Sequence, residues 1–155
     1  MKMTIRMFLC LTVLSLACCL TPTVRAERIP MTPEQLVSNS TNIVVGEVTG
    51  IFSKTNTEGN YERTHFVAEV RVVKSERGDF QKDTLIYVRY WEQRWAGRGA
   101  VPPGTNGFRD VPKEGETLRM HLVRNGYNGF GTSSDGGLDV LGPNGFSREG
   151  VAATK

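Results

Sequence analysis

Two hydrophobic patterns divide this chain. From Met7 to Leu20 (MFLCLTVLSLACCL) apolar residues run almost without a break, whereas from Ile43 onward they recur at every second position. Period two is the signature of half-buried strands, because successive side chains point to opposite faces. Ile43–Phe52 (IVVGEVTGIF) predicts a first strand with Val44, Val48 and Phe52 on one face, together with Gly46 and Gly50. Glycines inside a strand mark bends or close approach of backbones. Lys54–Asn60 (KTNTEGN) reads as a turn-rich hairpin loop. Thr64–Val73 alternates cleanly, with Phe66, Ala68, Val70 and Val72 inward and His65, Glu69 and Arg71 outward. After a polar turn at Glu76–Asp83, Thr84–Gln93 places Ile86, Val88 and Tyr90 on one face. Leu85, Tyr87, Arg89, Trp91 and Gln93 share the other, and Trp95 extends that stripe if the strand continues. Glu116–Arg124 predicts a fourth strand, with Leu118, Met120 and Leu122 inward and Arg119 and His121 outward. Leu138–Leu141 predicts a short fifth.

One helix precedes the strands. Thr32-Pro33-Glu34-Gln35 sets a capping hydroxyl before proline at the first helical position, with Gln three residues past the cap, and predicts a helix over Pro33–Asn39. Between the third and fourth strands, Ala96–Glu114 is broken by Gly97, Gly99, Pro102, Pro103, Gly104, Gly107 and Pro112 and has no periodicity. Such long connections are functional or disordered. Asn125–Gly131 and Asp135-Gly136-Gly137 are turn chemistry. Five strands with turn-rich connections, one short helix and no βαβ unit predict an all-β fold, an antiparallel five-stranded OB-like barrel.

The continuous run changes what counts as the folded part. Lys2 and Arg6 precede it, and Thr21–Ala26 follows with Val24 and Ala26 at the small-residue positions of a cleavage site. Residues 1–26 therefore read as a secretory signal peptide, and the run is short of the ~20 apolar residues a membrane span needs. The expectation is a secreted or periplasmic protein of a 27–146 barrel and a 147–155 flexible tail. Lipid anchoring at Cys18 or Cys19 is the alternative, although Ser15 and Leu16, or Cys18 itself, stand where such a signal wants other residues.

Charge and cysteine content shift with the leader. The chain of 155 residues holds 19 Lys and Arg against 16 Asp and Glu; Lys2, Arg6 and Arg25 lie in the leader and no acid does, so Glu27–Lys155 is charge-balanced. A neutral domain lacks the field that gathers polyphosphates, which argues against a nucleic-acid partner. All 3 cysteines, Cys10, Cys18 and Cys19, also lie in the leader. The remainder can form no disulfide or thiolate site, and this favours a bacterial exported protein with an ordinary hydrophobic core.

The stretches LVSNSTNIVVGEVTGIF, FVAEVRVVKSERGDF and EGETLRMHLVRNG resemble small exported bacterial domains with an OB-like barrel, of the broad class related to tissue-inhibitor-of-metalloprotease and netrin modules. The resemblance covers roughly residues 33–146 and implies the same barrel. Inhibitors of that class place an N-terminal cysteine on their target's zinc. Here Glu27 opens the expected mature chain, so that mechanism is not implied.

Catalytic motifs of the HExxH, GxSxG and phosphate-loop kinds do not occur in the sequence. His65 and His121 could meet across a barrel and, with Glu69, hold a metal for a small hydrolase; plain surface imidazoles are the simpler reading. The densest chemical patch is RYWEQRWAGRG, residues 89–99, where Arg89, Arg94 and Arg98 interleave with Tyr90, Trp91 and Trp95. Aromatic faces of OB barrels stack bases or sugar rings. The alternative is that the rings pack under the Ala96–Glu114 loop with arginine stems over them. These observations predict a non-enzymatic binding module without cofactor, taking a glycan or protein partner on Tyr87, Arg89, Trp91, Arg94, Trp95 and Arg98.

Overall fold

The structure is a computed structural model and describes residues 29–100, 107–108, 111–126 and 137–148. The leader, residues 101–106 and 109–110 of the Ala96–Glu114 connection, residues 127–136 and the end of the tail lie outside the described residues. Helix α1 (Pro33–Asn39) is followed by β1 (Asn42–Glu58), β2 (Tyr61–Arg77), β3 (Leu85–Trp95), β4 (Thr117–Arg124), β5 (Leu138–Val140) and β6 (Phe146–Ser147).

Helix α1 forms where its caps require. The Thr32 hydroxyl accepts from the Gln35 amide while the Gln35 side chain accepts from the Thr32 amide, and Pro33 supplies the first turn. At the other end, Arg77 of β2 donates to the carbonyls of Val37 and Ser40, so a cation meets the helix's unpaired acceptors. Leu36 is the residue the helix buries.

β1 and β2 form a hairpin far longer than the alternation predicts. Pairing runs from Ile43↔Arg77 to Glu58↔Tyr61, and the turn is only Gly59-Asn60, with Gly59 at φ 62°. A two-residue hairpin turn with positive φ at its first central residue suits glycine. The stretch read as a loop is therefore strand. Its β-forming threonines pair across the ladder, as in Thr55–Thr64 (2.9 Å between hydroxyls), and no apolar residue announces them because both faces are wet.

The ladder carries register shifts, one of them between Val48 and Gly50. Thr49 is the extra residue there, and a bulge moves every later side chain to the other face. Ile51 thus packs against the core and Phe52 points outward, 60% exposed. This corrects the expected inward Phe52. Gly46 is required for a different reason. A Cβ there would collide with Val70 Cγ1 and lie 3.0 Å from the Arg71 carbonyl oxygen. β1 and β2 approach too closely at that point for any side chain.

The strands close into a ring, β1–β2–β3–β5–β4 and back to β1, with β6 added beside β4. All contacts are antiparallel except β3 with β5, which is parallel through Val88↔Leu138 and Arg89↔Asp139. The expected purely antiparallel sheet is thereby corrected, and parity is the reason. Directions cannot alternate all the way around a ring of five. Val44, Val48, Val70, Val88, Leu118 and Met120 fill the interior with no solvent contact. Each contributes about 1.5–3 kcal/mol by leaving water. Ser147, expected in a loose tail, pairs with Arg119, and Arg148 donates to Glu116 at 2.9 Å.

Candidate functional site

Outward positions of β1, β2 and β3 come into register as six rows. Leu85, Tyr87, Arg89, Trp91, Gln93 and Trp95 of β3 stand opposite Arg71, Glu69, Val67, His65, Arg63 and Tyr61 of β2. The β2 residues stand in turn opposite Glu47, Gly50, Phe52, Lys54, Asn56 and Glu58 of β1. At ~3.3 Å per residue the face is about 33 Å long and, at ~4.8 Å per strand, about 10 Å wide.

Open rings lie at the middle of this face. Tyr87 is 54% exposed, and its hydroxyl donates to Glu69 Oε2 at 3.1 Å, which raises its pKa. The other Glu69 oxygen accepts from the Thr49 hydroxyl at 2.8 Å, so the bulge residue steadies the carboxylate. Phe52 lies across the sheet in the Arg89–Val67 row.

Trp91 is half-buried. Its ring packs edge-on against Phe108, and the Arg63 guanidinium sits 5.4 Å from its centroid. Arg63 is itself held by two bonds to Gln93 Oε1, at 2.8 and 3.1 Å. Phe108 reaches Trp91 because its amide donates to the Trp91 carbonyl, laying that part of the connection along β3. His65 stands between Lys54 and Trp91; burial first, then the Arg63 charge, lowers its pKa.

The sequence-predicted residues separate into three groups. Tyr87, Trp91 and Trp95 share the outward stripe as expected. Trp95 is half-buried: Tyr61 packs edge-on at 5.0 Å and the backbone of Gly97 folds against its ring. Its Nε1 is buried with no hydrogen-bond partner among the described residues.

Arg89 also points outward but is committed elsewhere. Its Nε and Nη2 bond Asp139 Oδ1 and Oδ2 at 3.1 and 2.7 Å, a two-pronged ion pair. Asp139 is fully buried and the Arg89 side chain 12% exposed. Arg89 is therefore a latch between β3 and β5 instead of an open ligand contact. Arg94 falls on the opposite face, where it pairs with Glu62, and Arg98 lies beyond the end of β3.

Sequence reasoning missed Phe52, Arg63 and Tyr61. Phe52 was hidden by the bulge, and the other two by a strand that continues through polar residues. The outward alternation of His65 and Glu69 was the available clue to the β2 half of the face.

His121 corrects a second expectation. It is 4% exposed, because α1 lies across the outer face of β4. The two histidines are registered to Lys54 and Ile43 of β1, eleven residues apart, on the order of 30 Å along the strand. They do not converge, and among the described residues no three His, Cys, Asp or Glu side chains gather as a metal site. No helix among the described residues is long and apolar enough to cross a membrane. Compared with protein-family models, curated proteins and solved structures, the chain matches none.

Proposed function

We propose that the protein is an exported, non-enzymatic binding module that holds a glycan along the outer face of β1, β2 and β3. The observation that carries this reading is the alternation of open rings with hydrogen-bonding groups. Phe52 and Tyr87 lie one and two rows to the same side of Trp91, and Glu69, His65, Lys54 and Gln93 lie between and beside them. A sugar ring offers the matching surface, a flat apolar face fringed by hydroxyls, and aromatic side chains stack on such faces. Protein–protein interfaces are depleted of Lys and Glu, whereas this face keeps Glu69 and Lys54 among its rings.

Preorganisation supports the same reading. The Glu69 carboxylate is held by Thr49 and Tyr87, and Arg63 by Gln93 and the Trp91 ring, so little side-chain freedom remains to be lost on binding.

Titrating the purified protein with neutral and acidic oligosaccharides while following tryptophan emission tests the proposal. A saturable change is expected, weakened tenfold or more by Tyr87→Ala and by Phe52→Ala without loss of melting temperature. A response indifferent to both substitutions, or none with any oligosaccharide, refutes it.

A further inference from the structure

A second, separate site lies on the other side of the ring. Helix α1 and the outer face of β4 and β6 border a half-open cavity of about 330 Å³. Pro33, Leu36 and Val37 of α1 form its apolar wall, and Arg119, His121 and Ser147 its polar one, while the Phe146 ring turns into the core against Tyr90 and Phe108. Arg119 and His121 are neighbours at i, i+2 on β4, and Ser147 is registered opposite Arg119.

Each polar wall group on β4 has a defined hydrogen-bonding state. The Ser40 hydroxyl donates its one hydrogen to the Leu36 carbonyl, and Ser40 Oγ lies 3.2 Å from His121 Nδ1. That oxygen can therefore only accept from the ring, which puts the imidazole proton on Nδ1. Nε2 is left as an acceptor. It belongs to a residue 4% exposed whose ring lines the cavity. Arg119 offers the complement. Glu76 Oε2 takes its Nε and Nη2 at 2.8 and 2.7 Å, and its remaining N–H groups have no partner among the described residues.

We propose that this cavity binds a small α-hydroxy carboxylate with a branched apolar tail. The carboxylate accepts from the free edge of Arg119, the geometry guanidinium groups favour. The α-hydroxyl donates to His121 Nε2, and the tail lies against Leu36 and Val37. A plain carboxylate leaves Nε2 without a donor, and a plain alcohol leaves Arg119 without an anion. Both groups on adjacent carbons satisfy the pair, while a cavity of this size accepts a ligand of amino-acid dimensions.

Proton–nitrogen NMR of the purified protein tests this, with 2-hydroxy-4-methylpentanoate as the probe. The expected result is saturable movement of the His121 imidazole signals and of the Val37 and Ser147 amides, with Tyr87 and Phe52 unmoved. Removing the hydroxyl (4-methylpentanoate) or the carboxylate (4-methylpentane-1,2-diol) weakens binding tenfold or more. Arg119→Gln does the same, and Arg119→Lys less. Should Arg119→Gln disturb the fold, Val37→Trp, at a rim position 37% exposed, fills the cavity instead and abolishes the shifts. Equal affinity for all three probes, shifts scattered away from α1 and β4, or binding untouched by Val37→Trp overturns the proposal.

Discussion

Replacing Asp139 by asparagine tests the latch between β3 and β5 while leaving the volume of the side chain unchanged. The Arg89 guanidinium would then keep its charge beside a neutral amide, in a place where only 12% of the side chain reaches solvent. Removing one partner of a buried pair costs about 3–5 kcal/mol, mostly through the charge left behind. Some water does reach Arg89 and the amide can still accept one bond, so the lower end, about 3 kcal/mol, is expected. Against the 5–15 kcal/mol total typical of a domain, that is a large share, and it lowers the melting temperature by about 10–15 °C. Replacing both partners with apolar residues, Arg89→Met with Asp139→Leu, removes charge and partner together and should cost about 1 kcal/mol or less. Urea unfolding followed by circular dichroism measures all three proteins. A loss below about 1 kcal/mol in Asp139→Asn, or a double variant as weak as the single one, would show that the pair is not what holds β5 on β3.

Three further outcomes follow from the same geometry. Gly46→Ala forces a methyl onto Val70 Cγ1 and the Arg71 backbone and should destabilise by about 1–3 kcal/mol, measured by the same unfolding midpoint. Thr32→Ala removes the helix cap, should cost about 1 kcal/mol, and should speed hydrogen exchange in α1 before the strands. His121 has a pKa pushed below 6.5 by burial first and the Arg119 charge second, against the opposing Leu36 carbonyl and Glu76. Its neutral form is the one the fold prefers, so its contribution is complete above pH 6.5 and is lost as pH falls through the lowered value. His65 has the same sign, whereas Glu34 and Glu116 titrate below 4.5. His121→Gln should therefore flatten the decline in melting temperature between pH 7 and 5, and an unchanged slope would contradict the buried imidazole.

How much of the outer face was legible from sequence depended on how local its cause was. Tyr87, Trp91 and Trp95 could be placed on one stripe because side chains two apart in a strand must share a face. Phe52 could not, since the bulge at Thr49 is read only in the pairing with β2, and one extra residue inverts everything after it. Arg89 has the right position on the stripe and a different role. Nothing near it in sequence indicates that Asp139, fifty residues later, arrives alongside.

The amino-acid sequence alone determined the helix and its caps, the strand character of β1 to β4 and which side of β2, β3 and β4 faces inward. Those are matters of period and of contacts between near neighbours. Tertiary structure decided the rest. Closing five strands into a ring demanded the parallel β3–β5 contact and with it a partner for Arg89. Docking α1 across β4 buried His121, and the Thr49 bulge turned Phe52 to the surface. Each of these depends on which distant segment comes to lie alongside, and that depends on the whole chain closing at once.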